Sequence, residues 1–144
     1  MKRQAISLVS LLSLLLVAGS AIAQTVHVRA DIPFTFAVGD KTYPAGAYSI
    51  GTMSDRDSKV LLLRAADGNT SMAVFSNAAE NLTPADKTKL IFNRYGNQYF
   101  LSQVWLNGEV RGHQLPKSNR EKEVGKAMAL SLPTERVEVV ASIH

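Results

Sequence analysis

Three residues of the segment KLIFNRYGNQYFLSQVWLNGEVRGHQL combine charge with aromatic surface: Arg94, Tyr99 and Trp105. A guanidinium beside a phenol and an indole can stack on a sugar ring or grip a small anion. These three are the candidate ligand-binding residues. They also read as core, with Trp105 interior and Arg94 at the rim covering Tyr99. A second chemistry lies in the same segment, because turn-set register would put Ser102 across from His113. A nucleophilic serine also needs an orienting acid and an oxyanion hole. The spacing supplies neither, and there is no G-x-S-x-G elbow. No catalytic residue is assigned.

Other titratable residues are too scattered to converge. His27 and Asp31 share strand parity, but His113 is remote and His144 is terminal. Zinc sites draw three or four ligands from characteristic short spacings, and none occurs, so no metal or other cofactor is expected. Asp55 and Asp57 flank Arg56 in an exposed turn. Glu121 and Glu123 are two apart on a helix and do not share a face. Neither pair suits two-carboxylate catalysis.

Strands must position these side chains, and turn signals delimit them. Val38-Gly39-Asp40-Lys41 suits a type II′ hairpin, and Asp67-Gly68 suits type I′. The second pairs Leu63 with Met72 and Leu61 with Val74. Gly96-Asn97 and Asn107-Gly108 predict a three-stranded meander. Its register pairs Arg94 with Tyr99, Phe92 with Leu101 and Trp105 with Val110. By alternation, Leu90, Phe92, Arg94, Tyr99, Leu101, Gln103 and Trp105 share one face, the better interior candidate. The opposite face also carries large apolar residues, which predicts partial cover by a helix or another sheet. Residues 77–86, NAAENLTPAD, read as a surface loop. RVEVVASI, residues 136–143, reads as the last strand, with Val137, Val139 and Ala141 on one face.

The most charged stretch, GHQLPKSNREKE, divides at Pro116, which ends a strand. Ser118 to Glu121 matches the capping box S-x-x-E. It predicts a helix over 119–130 with Val124, Ala127 and Met128 as its stripe. Its charges read as the wet face of a docked helix. The fold class expected is mainly β: about eight short antiparallel strands as a small barrel or sandwich, with this C-terminal helix packed on it.

The N-terminus has a positive start at Lys2-Arg3, an apolar run from Leu8 to Val17 and an A-x-A site at Ala21-Ile22-Ala23. That pattern predicts a cleaved export signal, 1–23, and a single β-rich domain, 24–144. The apolar run is too short for a stable membrane anchor. The strand runs are too short for an outer-membrane barrel. With no cysteine, neither a lipid anchor nor a disulfide can form. Removing Lys2 and Arg3 leaves fourteen basic against twelve acidic residues, a net charge of +2. That is too weak a field for nucleic-acid binding.

Two segments, IPFTFAVGDKTYPAGAYSI and LIFNRYGNQYFLSQVWLNGEVRGHQLPKSNREKE, together resemble small exported proteins found repeatedly in acidobacteria. The resemblance implies a bacterial exported β protein, periplasmic or secreted, and transfers no catalytic residues. The expected function is a non-enzymatic module that binds an envelope component or a small ligand. The alternative is a small hydrolase or isomerase with a site in the sheet interior. A third reading is a structural envelope protein with a filled interior and no small ligand. Composition and spacing leave the oligomeric state open.

Overall fold

Alternation is cleanest in the first strand, β1 (His27–Ile32). Val28, Ala30 and Ile32 are buried while His27, Arg29 and Asp31 face water. The structure, a computed structural model, describes residues 27–52 and 59–143. The export signal 1–23, Asp55, Asp57 and His144 lie outside the described residues.

After β1 come β2 (Phe36–Val38), β3 (Lys41–Tyr43), β4 (Gly46–Thr52), β5 (Val60–Ala65) and β6 (Ser71–Phe75). Then follow β7 (Asn77–Glu80), β8 (Lys89–Tyr95), β9 (Gln98–Trp105) and β10 (Arg111–Gln114). The helix α1 (Asn119–Met128), β11 (Glu135–Val140) and β12 (Ser142–Ile143) complete the order. One sheet has five strands in the order β12-β1-β4-β5-β6. The larger sheet has seven, in the order β11-β8-β9-β10-β7, with the β2–β3 hairpin joined where Ala37 meets Phe100 in parallel.

The inner faces of the two sheets share one core. Val28, Ile50 and Leu63 come from the smaller sheet; Leu90, Phe92 and Val104 come from the larger. Each buried aliphatic side chain contributes about 1.5–3 kcal/mol. Phe36 packs edge-on against both Tyr48 and Phe92, tying the β2 hairpin to both sheets.

The barrel expectation is overturned, because neither sheet closes. The chain passes between sheets four times: before and after the β2–β3 hairpin, at Ser76 between β6 and β7, and at Ala141 between β11 and β12. Strands that switch sheets by bending make corners in place of a continuous ladder. Backbone bonds pin the last two corners: Ser76 N–H donates to the Lys59 carbonyl at 2.6 Å, and Ala141 N–H to that of Thr88 at 2.9 Å. Twelve strands stand where about eight were expected, since β2, β3, β7 and β12 have only two to four residues. One of them, β7, lies in the supposed loop 77–86, pairing with β10 along Glu80↔Arg111 to Asn77↔Gln114.

Hairpin register follows the sequence more closely than turn type does. Leu63 pairs with Met72 and Leu61 with Val74, as expected. Only glycines take positive φ among the described residues, so Asp67-Gly68 is not type I′. Asp67 instead accepts the Asn69 N–H at 2.9 Å in an Asx turn. Asn107-Gly108 opens into a longer loop, and Trp105 does not pair with Val110. The Asn107 amide donates to Thr88 Oγ1, and the Gly108 amide to the Ala85 carbonyl. The 81–88 loop has taken the amides that a tight hairpin would have used.

Candidate functional site

One inserted residue decides which side chains face outward on the larger sheet. From Tyr95↔Gln98 to Phe92↔Leu101 the β8–β9 register is as expected, but Ile91 then pairs with Gln103. Ser102 is the extra residue, a β-bulge. A one-residue slip moves every later side chain to the other face. Gln103 and Trp105 therefore leave the Arg94–Tyr99 face. Val104 takes the inward position opposite Leu90, and both are buried in the main core. In the unbulged register Gln103 would have sat against fully buried Leu90.

The outward face of this sheet has three zones. At one end α1 covers Tyr95, Phe100 and Ala37 through Val124 and Met128. Its cap is as expected: Ser118 Oγ accepts the Glu121 N–H at 3.1 Å. The reciprocal half of the capping box does not form. Glu121 Oε1 instead accepts from Asn93 Nδ2 at 2.9 Å and from the Tyr95 hydroxyl at 3.0 Å. Glu121 is the buried residue of the helix, while Ala127 is exposed. So one charge of the supposed wet face anchors the docking, and the apolar stripe is narrower than expected. Burial, then the Glu121 carboxylate, pushes the Tyr95 pKa up to about 12. At the far end Trp105 is buried with Ile91, Ala79 and Ala85, beneath β7 and the 81–88 loop. A Cβ at Gly112 would lie 2.7 Å from the Trp105 ring, so only glycine allows that approach.

Between these covers lies an open groove of about 460 Å³. Its floor is a continuous cross-strand row, in which Gln103 pairs with Gln114 and Gln114 with Asn77. Three carboxamides thus stand on adjacent strands, and the lining also includes Asn93, Lys117 and Arg136, with Ser102, Leu115 and Pro116. Gln103 Oε1 accepts from both Trp105 Nε1, at 2.9 Å, and Arg136 Nη2, at 3.0 Å. Two donors on one oxygen fix the orientation of that amide. Glu138, the acid in the same row, is drawn off by Lys89 at 3.1 Å and Lys87 at 3.8 Å. Among the described residues, neither Lys117 nor Arg136 is in a salt bridge. The groove therefore combines amide donors and acceptors with two cations and no lining acid.

The three residues singled out from sequence are not together. Arg94 and Tyr99 pair as expected, with the guanidinium 5.4 Å from the ring centroid. Phe34 stacks on Tyr99 at 3.8 Å, and Arg94 also binds the Gly96 carbonyl and Glu135. Both side chains are occupied within the chain at the rim of the core. Trp105 is on the opposite face from Arg94 and Tyr99 and 2 % exposed, in the covered zone beside the groove, where its Nε1 donates to Gln103. Sequence reasoning missed Gln103, Gln114, Asn77, Lys117 and Arg136. The overlooked signal is that the unbulged register forces a glutamine into the core.

His113 does meet a serine, but not Ser102. It pairs with Val104 and Ala78, and its Nδ1 lies 3.2 Å from Ser76 Oγ in a cleft of about 380 Å³. Burial pushes the His113 pKa below its usual value. Ser76 Oγ also donates to the Lys59 carbonyl at 3.3 Å. Among the described residues no carboxylate is hydrogen-bonded to His113, and no cluster of three metal-ligating side chains occurs. No described helix is long and apolar enough to cross a membrane. Comparison with known protein families, characterised proteins and solved structures gives no match.

Proposed function

We propose that this chain is an exported, non-enzymatic binding module, a two-sheet sandwich whose site is the groove on the outer face of its larger sheet. One observation carries the reading: three carboxamides on adjacent strands, flanked by Arg136 and Lys117, left open between two covered zones. Polar side chains with mixed donors and acceptors, held on a rigid sheet, fix a ligand's orientation. The groove lies within the roughly 300–1,000 Å³ range of small-ligand sites. Export rests on the N-terminal pattern and on the resemblance to small acidobacterial exported proteins. The ligand is then an envelope component or a small molecule of the periplasm or surroundings.

A thermal-shift screen of the mature chain against sugars, lipids and cell-wall fragments tests the binding. A ligand at 100 times its Kd stabilises the fold by about 2.7 kcal/mol. Gln114→Ala and Asn77→Ala should abolish that shift without lowering the melting temperature of the free protein. A screen with no responsive compound, or a shift untouched by both substitutions, removes the groove from consideration. N-terminal sequencing of the exported protein should begin at Gln24.

The hydrolase alternative rests on Ser76 and His113. It predicts ester cleavage that Ser76→Ala abolishes. A general base also needs a partner to orient it, and no described carboxylate serves His113.

A further inference from the structure

Resting on the groove reading above, we infer that the ligand class is an acidic saccharide, a hydroxyl-rich chain of sugar rings bearing carboxylates. Three properties of the groove select it. Its floor is made of carboxamides: Gln114 and Asn77 each offer two N–H donors and a carbonyl acceptor, and Gln103, whose oxygen already accepts from Trp105 and Arg136, offers its N–H donors. Sugar hydroxyls, which both donate and accept, satisfy such a floor; acetate supplies acceptors only, and phosphate near neutral pH is mostly acceptor with few P–O–H donors. The row Gln103–Gln114–Asn77 crosses three neighbouring strands, so its amides recur at the interstrand spacing of about 4.7–4.9 Å. That repeat is comparable to one sugar residue along a glycan. An elongated ligand lying across the strands would meet one amide per ring.

The charge of the lining then chooses among saccharides. Lys117 and Arg136 line the groove and no acid does. Arg136 commits one N–H to Gln103 Oε1, and a guanidinium has five. The remaining donors suit a carboxylate, in the fork geometry that makes arginine its preferred partner. The nearby acids are held elsewhere, Glu138 by Lys87 and Lys89, and Glu121 by Asn93 and Tyr95. Trp105 is packed away at the covered far end of the same face and offers no ring face for sugar stacking. Selectivity must therefore come from hydrogen bonds and charge.

Isothermal titration of the mature protein with digalacturonic acid, neutral galactobiose and sodium phosphate tests this. Digalacturonic acid should bind at least about tenfold tighter than galactobiose, a difference of about 1.4 kcal/mol. Arg136→Gln and Lys117→Gln should erase that preference, while Gln114→Ala weakens both sugars. Equal binding of the two sugars would overturn the acidic assignment and leave the groove as a binding site. Phosphate binding as tightly as digalacturonic acid would overturn the saccharide assignment. No binding by any of the three would overturn the ligand class, while the groove itself stands or falls on the wider thermal-shift screen.

Discussion

Arg94 and Arg136 sit near each other on opposite faces of one sheet, and their surroundings differ in kind. Arg94 faces inward at the core rim, where Tyr99, the Gly96 carbonyl and Glu135 engage its guanidinium. Arg136 faces outward beside Asn93, makes one bond to Gln103 and lines an open groove. Both are arginines on strands with an acid or amide close by. The difference arises in β9, where the Ser102 bulge turns Gln103 and Trp105 outward. Arg94 thereby loses its expected indole neighbour and Arg136 gains an amide. A cation over an aromatic ring is a familiar cue for ligand binding, yet here the pair is closed on itself.

Placing an amide at the inward position of β9 is the most severe way to break this comparison. Val104→Gln sets against Leu90 the kind of group that the Ser102 bulge keeps outward. An uncompensated buried amide and a lost aliphatic contact together cost a large part of the roughly 5–15 kcal/mol that holds a domain folded. That variant should show no cooperative urea transition by circular dichroism. Ser102→Ala keeps the extra residue and should unfold within about 0.5 kcal/mol of the parent. Deleting Ser102 instead joins Leu101 to Gln103 in a continuous ladder that keeps the Ile91↔Gln103 and Leu90↔Val104 pairs, so the deletion variant should still fold cooperatively. A stably folded Val104→Gln variant, or a deletion variant that cannot fold, would mean that this register does not set the two faces.

Trp105→Ala comes next. Truncating a buried tryptophan costs about 3–5 kcal/mol. Chemical denaturation should show that loss with no ligand present, in keeping with its place under Gly112, Ala79 and Ala85. Tyr99→Ala should cost less, because Tyr99 is only half-buried and its main contact is the Phe34 ring.

Much of the fold can be read from the residues, and the limits have physical causes. Local rules act where neighbours in sequence are neighbours in space. The β5–β6 register, the β8–β9 register up to Leu101 and the Ser118 cap all follow from them. The rules fail where distant segments compete for backbone groups. Asn107-Gly108 has a strong turn sequence, but Ala85 and Thr88 capture its amides. Glu121 has the right spacing for a capping box, but Asn93 and Tyr95 claim its carboxylate. The site was the least legible part, since it depends on one inserted residue and on β7, a strand hidden in a stretch that reads as loop. Gln103, Gln114 and Asn77 carry no motif; only the strand order β9-β10-β7 makes them a row.

The Glu121 anchor gives a smaller, pH-dependent effect. Glu121→Ala leaves the Tyr95 hydroxyl and the Asn93 amide without their acceptor, at a cost of about 1–3 kcal/mol. The same network acts on Tyr95, whose pKa rises from 10.0 unfolded to about 12 folded. A raised pKa means that the unfolded chain loses its phenolic proton first. The contribution is complete below pH 10 and disappears as the pH climbs through 12. Melting temperatures measured from pH 9 to 12 should fall along this limb, and Tyr95→Phe should flatten it. An unchanged slope in Tyr95→Phe would place the alkaline loss elsewhere, with Tyr43 and Tyr48, also raised by burial, as the next groups to test.

The two arginines supply the smallest and most discriminating measurement. Arg94→Gln removes a half-exposed ion pair and a cation near an aromatic ring, together worth about 0.5–1 kcal/mol. Arg136→Gln removes one exposed hydrogen bond and should change stability by no more than about 0.5 kcal/mol. Ligand binding should reverse the order, with Arg136→Gln weakening an acidic ligand and Arg94→Gln leaving it untouched. If urea titrations show Arg136→Gln to be the costlier change, its guanidinium serves to hold Gln103 against Trp105. The groove's positive charge would then rest on Lys117 alone, and the carboxylate preference should survive Arg136→Gln but not Lys117→Gln. Stability and affinity measured on the same two variants therefore separate an arginine that closes the sheet from one that faces a partner.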